Sequence, residues 1–266
     1  MDMNNLNTRV EVRNLSCYIE TTRILKDVSL GVQDRKMVGI IGPNGSGKTT
    51  LLKHLYRALP ANRRTVFIDH REIESYSYND SARRITVVKQ ENPSDFDFTV
   101  ERMVLLGRSP YRRSFESFTK EDHKIAHAAL ESIGMLAYAD RSFNNLSGGE
   151  KQRVLIARSL AQQADIYILD EPTNHLDVHY QWNLMELVKS LGATVLGVFH
   201  EMNLAAYYCD ELFVLAEGRV TAQGAPEEIL TSKLLSDVFG VRAEVMRLEN
   251  GRPHVIILGQ AQPNHG

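Results

Sequence analysis

The stretch GPNGSGKT, residues 42–49, sets a lysine and a hydroxyl behind a run of small residues, and that pattern suits the binding of a polyphosphate. It fits GxxxxGK[ST], with Gly42, Gly47, Lys48 and Thr49 at the defining positions, Pro43, Asn44, Gly45 and Ser46 between them and Thr50 following. Glycines let the backbone come close to phosphate oxygens, so that successive N–H groups and a helix N-terminus receive the anion. Lys48 is expected to reach the β and γ phosphates and the Thr49 hydroxyl to ligate Mg²⁺. A second run, IYILDEP, ends an apolar segment on two carboxylates. Asp170 is expected to offer a hard oxygen near Mg²⁺, through water, and Glu171 to polarise the water that attacks the γ phosphate. A third, NNLSGGEKQRV at 144–154, puts Ser147, Gly148 and Gly149 ahead of a helical stretch, which is the form of a second phosphate-binding loop.

These groups need elements to deliver them. MVGIIG from Met37 is a continuous apolar run into the glycine loop, and 48–57 then reads as a helix with Leu51, Leu52 and Leu55 on one face. Similar runs recur at 65–68 (TVFI), 85–88 (ITVV), 166–170 (IYILD) and 194–200 (TVLGVFH), with a helical pattern from Asp177 to about Leu191 between the last two. They read as buried parallel strands of an α/β core. Ahead of them the first 35 residues alternate (Val10, Val12, Leu15, then Ile24, Val28, Leu30, Val32), as half-buried antiparallel strands do. Between Gln90 and about Gln162 helical signals take over, at 99–106 and at 119–133, where TKED supplies a cap and Ile125, Ala129 and Ile133 recur at helical spacing. After Glu211 come a hairpin through an EG turn, a short helix from Pro226, and two last strands joined at Asn250 and Gly251. The pattern predicts one domain over 8–258, with a helical lobe at about 91–162 inserted in the core and tails at 1–7 and 259–266.

With 266 residues, 43% hydrophobic and 24% charged, the chain has a soluble globular composition, and a net charge of −2 argues against nucleic acid as its main partner. The basic run Arg108, Arg112, Arg113 with Tyr111 therefore reads as a solvated loop of the helical lobe. Cys17 and Cys209 have no CxxC or Cys/His spacing that could hold zinc and read as buried small hydrophobes. The N-terminal MDMNNLNTRV lacks a basic segment followed by an apolar core, and no run of about 18 apolar residues occurs. The expected location is cytoplasmic, with membrane association only through a partner. His175 and His179 read as solvated side chains.

Two phosphate-type motifs joined by LSGGEKQR resemble the nucleotide-binding subunits of ABC transporters, whose signature is LSGGQ, and the resemblance spans nearly the whole chain in order. It implies a P-loop NTPase (RecA-like) core with an N-terminal antiparallel β-subdomain and an inserted α-helical subdomain, working as an ATPase with ATP and Mg²⁺. It further implies a head-to-tail homodimer sandwiching two nucleotides, with Ser147, Gly148 and Gly149 contacting the γ phosphate held by the facing subunit. Glu150 stands where the family often has glutamine. Gln90 matches the Q-loop glutamine that contacts Mg²⁺ and the attacking water, Asp177 in NHLD matches the D-loop aspartate, and His200 matches the switch histidine on the γ phosphate. The family stacks adenine on an aromatic residue in the first strand region. Ungapped alignment puts Ile19 there and Tyr18 one place early, so either Tyr18 through a bulge or Ile19 as an apolar platform meets the base.

The stretches MVLLGRSPYRRSFESFTKEDHKIAHAALESIGM and HEMNLAAYYCDELFVLAEGRVTAQGAPEEIL are similar to the branch that energises uptake of iron chelates (siderophores), haem and cobalamin. That branch implies two transmembrane permease subunits, a periplasmic or surface substrate-binding protein acting indirectly, and a peripheral position on the inner face of the cell membrane. The alternatives are the ATPase of another ABC transport system and a soluble, non-transport member of the superfamily.

Overall fold

The computed structural model describes residues 7–89, 97–113, 116–174 and 176–261. The chain packs as two compact units, one made of the residues before Ser75 together with those after Leu187, the other of Ser75–Leu187.

The first unit begins with β1 (Thr8–Ile19) and β2 (Thr22–Gln33), an antiparallel pair whose alternate residues Val10, Val12, Leu15, Val28, Leu30 and Val32 are buried. Then come β3 (Met37–Ile41), buried at every residue, α1 (Lys48–Leu55), β4 (Val66–Ile68) and the short β5 (Arg71–Glu72). A strand with no polar face suits burial between two layers, and β3 is parallel to both of its neighbours. The run at 65–68 departs from expectation. It pairs antiparallel with β1, Val10 opposite Ile68 and Val12 opposite Val66, and so belongs to the N-terminal sheet β2-β1-β4-β5 instead of the parallel core. Three or four apolar residues carry no information about the direction of their neighbours, which is why the sequence could not separate the two cases.

The second unit contains α2 (Tyr78–Arg84), β6 (Ile85–Lys89), α3 (Val100–Leu105), α4 (Lys120–Ser132), α5 (Gly148–Ala161), β7 (Ile166–Asp170) and the start of α6 (Val178–Ser190). β6 and β7 are parallel, with Lys89 opposite Asp170. Val104, Leu130, Phe143, Val154 and Ala157 lie in the core formed by α3, α4 and α5. α4 opens on a complete capping box: Thr119 caps the helix and the Asp122 carboxylate accepts from the Thr119 N–H at 2.9 Å.

Arg108 belongs to this core, which corrects the reading of a solvated basic loop. A 3₁₀ turn (Leu106–Tyr111) delivers its guanidinium to Asp122 at 2.9 Å, to the Ala161 carbonyl and Gln163 Oε1 at 3.0 Å each, and to the face of Tyr111. Burial by itself would raise the Asp122 carboxyl; the Thr119 N–H and the Arg108 guanidinium hold it below its ordinary value. Arg112 stacks on Phe118, 4.1 Å from the ring centroid, and Arg113 is exposed.

The first unit resumes with β8 (Thr194–Val198), α7 (Met202–Tyr208), β9 (Glu211–Ala216), β10 (Arg219–Gly224), α8 (Pro226–Ile229), α9 (Ser232–Phe239), β11 (Val241–Arg247) and β12 (Pro253–Gln260). Within this unit the order is β10-β9-β3-β8, with β3 between two parallel partners and β10 turned back on β9. β11 and β12 form a separate hairpin. Cys209 is buried, and burial pushes its thiol well up; Cys17, against expectation, is only half-buried, near the end of β1. His179 is exposed and meets the Asn183 amide at 3.0 Å, while His175 lies outside the described residues.

Candidate active site

β3 ends at Ile41, and the loop that follows turns through left-handed glycines, Gly45 at φ +77 and Gly47 at φ +102, the latter capping α1. A Cβ at Gly47 would lie 2.8 Å from Leu25 Cδ2, whereas one at Gly45 would meet nothing within 4 Å. The loop is thus packed against β2 on one side and open on the other. The Lys48 ammonium folds back over the loop and donates to the carbonyls of Gly42 at 2.8 Å and Pro43 at 2.9 Å. Ser46 is 3% exposed, and its hydroxyl has no hydrogen-bond partner among the described residues. A buried orphan hydroxyl beside a lysine and an open glycine is a donor set waiting for an anion, and it fits a nucleotide phosphate.

The β9–β10 turn braces this loop from behind. Gly218, at φ +79, donates its N–H to the Ser46 carbonyl at 3.2 Å and accepts from the Lys26 N–H at 2.8 Å, which ties hairpin, phosphate loop and β2 together. Residues 43–46 also border an open cavity of ≈ 520 Å³, whose far side includes Glu217, Arg219 and Asp237.

His200 follows β8 as Gly42 follows β3. The parallel register sets Val198 opposite Ile40, and Phe199 donates its N–H to the Ile40 carbonyl at 3.1 Å, so His200 and the phosphate loop leave the carboxyl ends of adjacent strands. That edge is where parallel α/β sheets bind ligands. Thr49 and Thr50 lie in the first turn of α1, and the Thr50 carbonyl meets His54 Nδ1 at 2.8 Å.

In the second unit, β7 brings Asp170 to its carboxyl end, and Glu171 follows in left-handed backbone, φ +53, which a non-glycine residue holds only when its surroundings impose it. Several bonds impose it here. Asn174 returns its N–H to the Glu171 carbonyl at 3.2 Å and its side-chain amide to Glu171 Oε2 at 2.6 Å. Gln181 of α6 donates to the Thr173 carbonyl at 3.2 Å, and Gln152 of α5 donates to the Pro172 carbonyl at 3.1 Å. Gln90 follows Lys89 in the chain and lies outside the described residues.

Ser147 is the N-cap of α5, again in a capping box: its N–H and Oγ–H donate to Glu150 Oε2 at 2.8 and 2.7 Å, and the Glu150 N–H returns to Oγ at 3.4 Å. The Ser147 hydroxyl, then its N–H, hold the Glu150 carboxyl below the ordinary carboxylate range. Ser147 and Gly148 are exposed, with open space where a Cβ of Gly148 would stand. Asp177 is exposed just before α6. Tyr18 and Ile19 are both exposed at the end of β1, 63% and 48%, after a register shift between Cys17 and Tyr18. The Arg23 guanidinium lies 5.9 Å from the Tyr18 ring centroid.

Sequence reasoning missed Gln152, Asn174, Gln181 and Gly218. For Gln152 a signal existed: a glutamine three and four residues ahead of Leu155 and Ile156 sits on the buried face of α5, where a polar side chain needs a partner.

Among the described residues no helix is long and apolar enough to cross a membrane, and no group of three or more His, Cys, Asp or Glu forms a metal cage. The profile of the family described as ABC transporter matches residues 25–174. The ferric enterobactin transport ATP-binding protein FepC of Escherichia coli is 37% identical over 91% of this chain and 91% of its own length. The cobalamin import ATP-binding protein BtuD of Halobacterium salinarum is 39% identical over 89% of this chain, which spans 60% of that relative. A dimeric post-hydrolysis state of the ATP-binding cassette MJ0796, bound to ADP and Pi, superposes with TM-score 0.71 over 81% of this chain and 98% of that one, at 28% identity. The chain belongs to the ABC transporter family.

Proposed function

We propose that the chain is the ATP-hydrolysing subunit of an importer that takes up an iron chelate, haem or cobalamin through a separate permease. The observation that carries this reading is the phosphate cradle, with Lys48 held across the Gly42 and Pro43 carbonyls above the buried, unpartnered Ser46 hydroxyl. The loop amides and Lys48 bind the β and γ phosphates, and charge stabilisation with alignment is most of what phosphoryl transfer needs. Bound Mg²⁺ supplies neutralisation of phosphate charge. The groups of this chain that would hold it are the Thr49 hydroxyl, the Asp170 carboxylate and Gln90, with phosphate and water completing its shell.

Glu171 acts as general base, His200 holds the γ phosphate and water in line, and Asp177 communicates across the dimer. Ser147, Gly148 and Gly149 receive the γ phosphate of the facing subunit's nucleotide, so two copies assemble head to tail and each chain carries two half-sites. Tyr18 or Ile19 meets the adenine; the exposure of both supports a contact with something outside the chain. The subunit sits on the inner face of the membrane through two permease subunits, with a substrate-binding protein acting upstream. The names of the ferric enterobactin and cobalamin relatives support the cargo class.

Glu171→Gln tests the chemistry. Losing a general base costs about 10² to 10⁴ in rate, so the variant is expected to bind ATP, stop turning over and accumulate as a dimer on sizing in ATP. Hydrolysis at the wild-type rate would refute the assignment. Stimulation of the ATPase in a reconstituted complex by ferric chelates, haem or cobalamin identifies the cargo.

A further inference from the structure

We propose that Gln152 is a positioning residue that ties the helix carrying Ser147, Gly148 and Gly149 to the turn carrying Glu171, so that phosphate received from the facing subunit sets this chain's own general base. The inference rests on the reading of those residues given above. Gln152 is 6% exposed and lies on the second turn of α5, whose N-cap is Ser147. Its amide donates to the carbonyl of Pro172, the residue after Glu171. Proline has no N–H, so that carbonyl is the only backbone hydrogen-bonding group Pro172 offers, and Gln152 holds it. The turn is a responsive target, because Glu171 is held at φ +53 and its carboxylate is already fixed by Asn174. A small displacement of α5 along this bond therefore reaches the carboxylate through one strained residue. Gln181 makes a bond of the same kind to the next carbonyl, Thr173, from α6, and provides an internal control that does not start at the signature helix.

The test is a kinetic cycle in the full-length chain. Gln152→Met keeps the volume and removes the donor; the expected result is a kcat lowered about tenfold, the scale of leaving one buried carbonyl unpaired, with KM for ATP within about twofold of wild type. Combined with Ser147→Ala, Gln152→Met is expected to add less than about twofold to the loss from Ser147→Ala alone, because both interrupt one line. Gln181→Met is expected to add its full loss to that of Ser147→Ala. A kcat within twofold of wild type, a KM that rises as kcat falls, or an additive cycle for Gln152 would overturn the proposal. Should Gln152→Met fail to fold, Gln152→Glu, with the same length and an acceptor in place of the donor, takes its place with the same expected outcomes. Glu171→Gln runs beside it: wild-type hydrolysis in that variant overturns the general-base reading itself, whereas its loss together with an unaffected Gln152→Met overturns only the coupling.

Discussion

Arg108→Met removes a guanidinium that three acceptors and an aromatic ring enclose, while keeping most of the bulk of the stem. Both members of the Arg108–Asp122 pair have side chains only 9% exposed. Removing one member of a buried ion pair typically costs about 3–5 kcal/mol, because the other charge is left without compensation. Asp122 keeps its two bonds from the Thr119 N–H and hydroxyl, which places the expected loss at the low end, about 3 kcal/mol. At an m-value of about 3 kcal/mol per molar urea that is a shift of about 1 M in midpoint. Trp182, the only tryptophan of the chain, lies in the same unit as Arg108, so its fluorescence reports the transition that matters. The pH dependence follows from the lowered Asp122 carboxyl. A group with a depressed folded value stabilises above its unfolded value, about 4 for aspartate, and loses that contribution as pH falls through the folded one. The gap between wild type and variant is therefore full at pH 7 and closes as pH drops below about 4. Arg108→Lys recovers only part, since one ammonium cannot reach a fork of three acceptors. A midpoint shift below about 0.2 M at an m-value of this size, or a gap that is the same at pH 7 and pH 3, would refute the reasoning.

Gly218→Ala places a Cβ 2.2 Å from the Ile24 carbonyl at φ +79, so the hairpin tip must leave the phosphate loop; strain of this kind is worth about 1–3 kcal/mol, and ATP affinity measured by calorimetry is expected to fall about tenfold with little change in kcat. Gly251→Ala, at φ +81 with open space around it, is expected to leave affinity unchanged. Glu150→Gln retains a capping side chain but removes a negative charge from the end of α5 proposed to receive phosphate. In the Glu171→Gln background, sedimentation in ATP is expected to show a several-fold tighter dimer, with the gain shrinking as salt rises.

What the sequence made legible is chiefly what the backbone does. The glycines of 42–49, the apolar strands on either side of the nucleotide motifs and the TKED cap all encode geometry in residue type, and β3, α1, β7 and α4 form where those signals stand. The failures are of another kind. TVFI reads as a core strand yet joins the N-terminal sheet, because strand direction is decided by partners distant in sequence. Arg108 reads as solvated because its charge is visible in the sequence while Asp122, fourteen residues on in the next helix, is linked to it by no spacing rule. Gln152 and Gln181 act through backbone carbonyls, which have no residue type of their own, and Asn174 reaches the Glu171 carboxylate three residues back. The distinction explains why the glycine loop at 42–49 is legible residue by residue in the sequence and the support of Glu171 is not.

The Ser147 hydroxyl has a single proton, and in this structure Glu150 holds it. It cannot be shared: to donate to a phosphate across the dimer, Ser147 must first give up its own carboxylate. A nucleotide reaching the signature as proposed would exchange one acceptor for another, and its departure would leave the original acceptor three residues away, ready to take up the hydrogen bond again. On the proposed function the helix end would carry its own reset, two anions contending for one hydrogen.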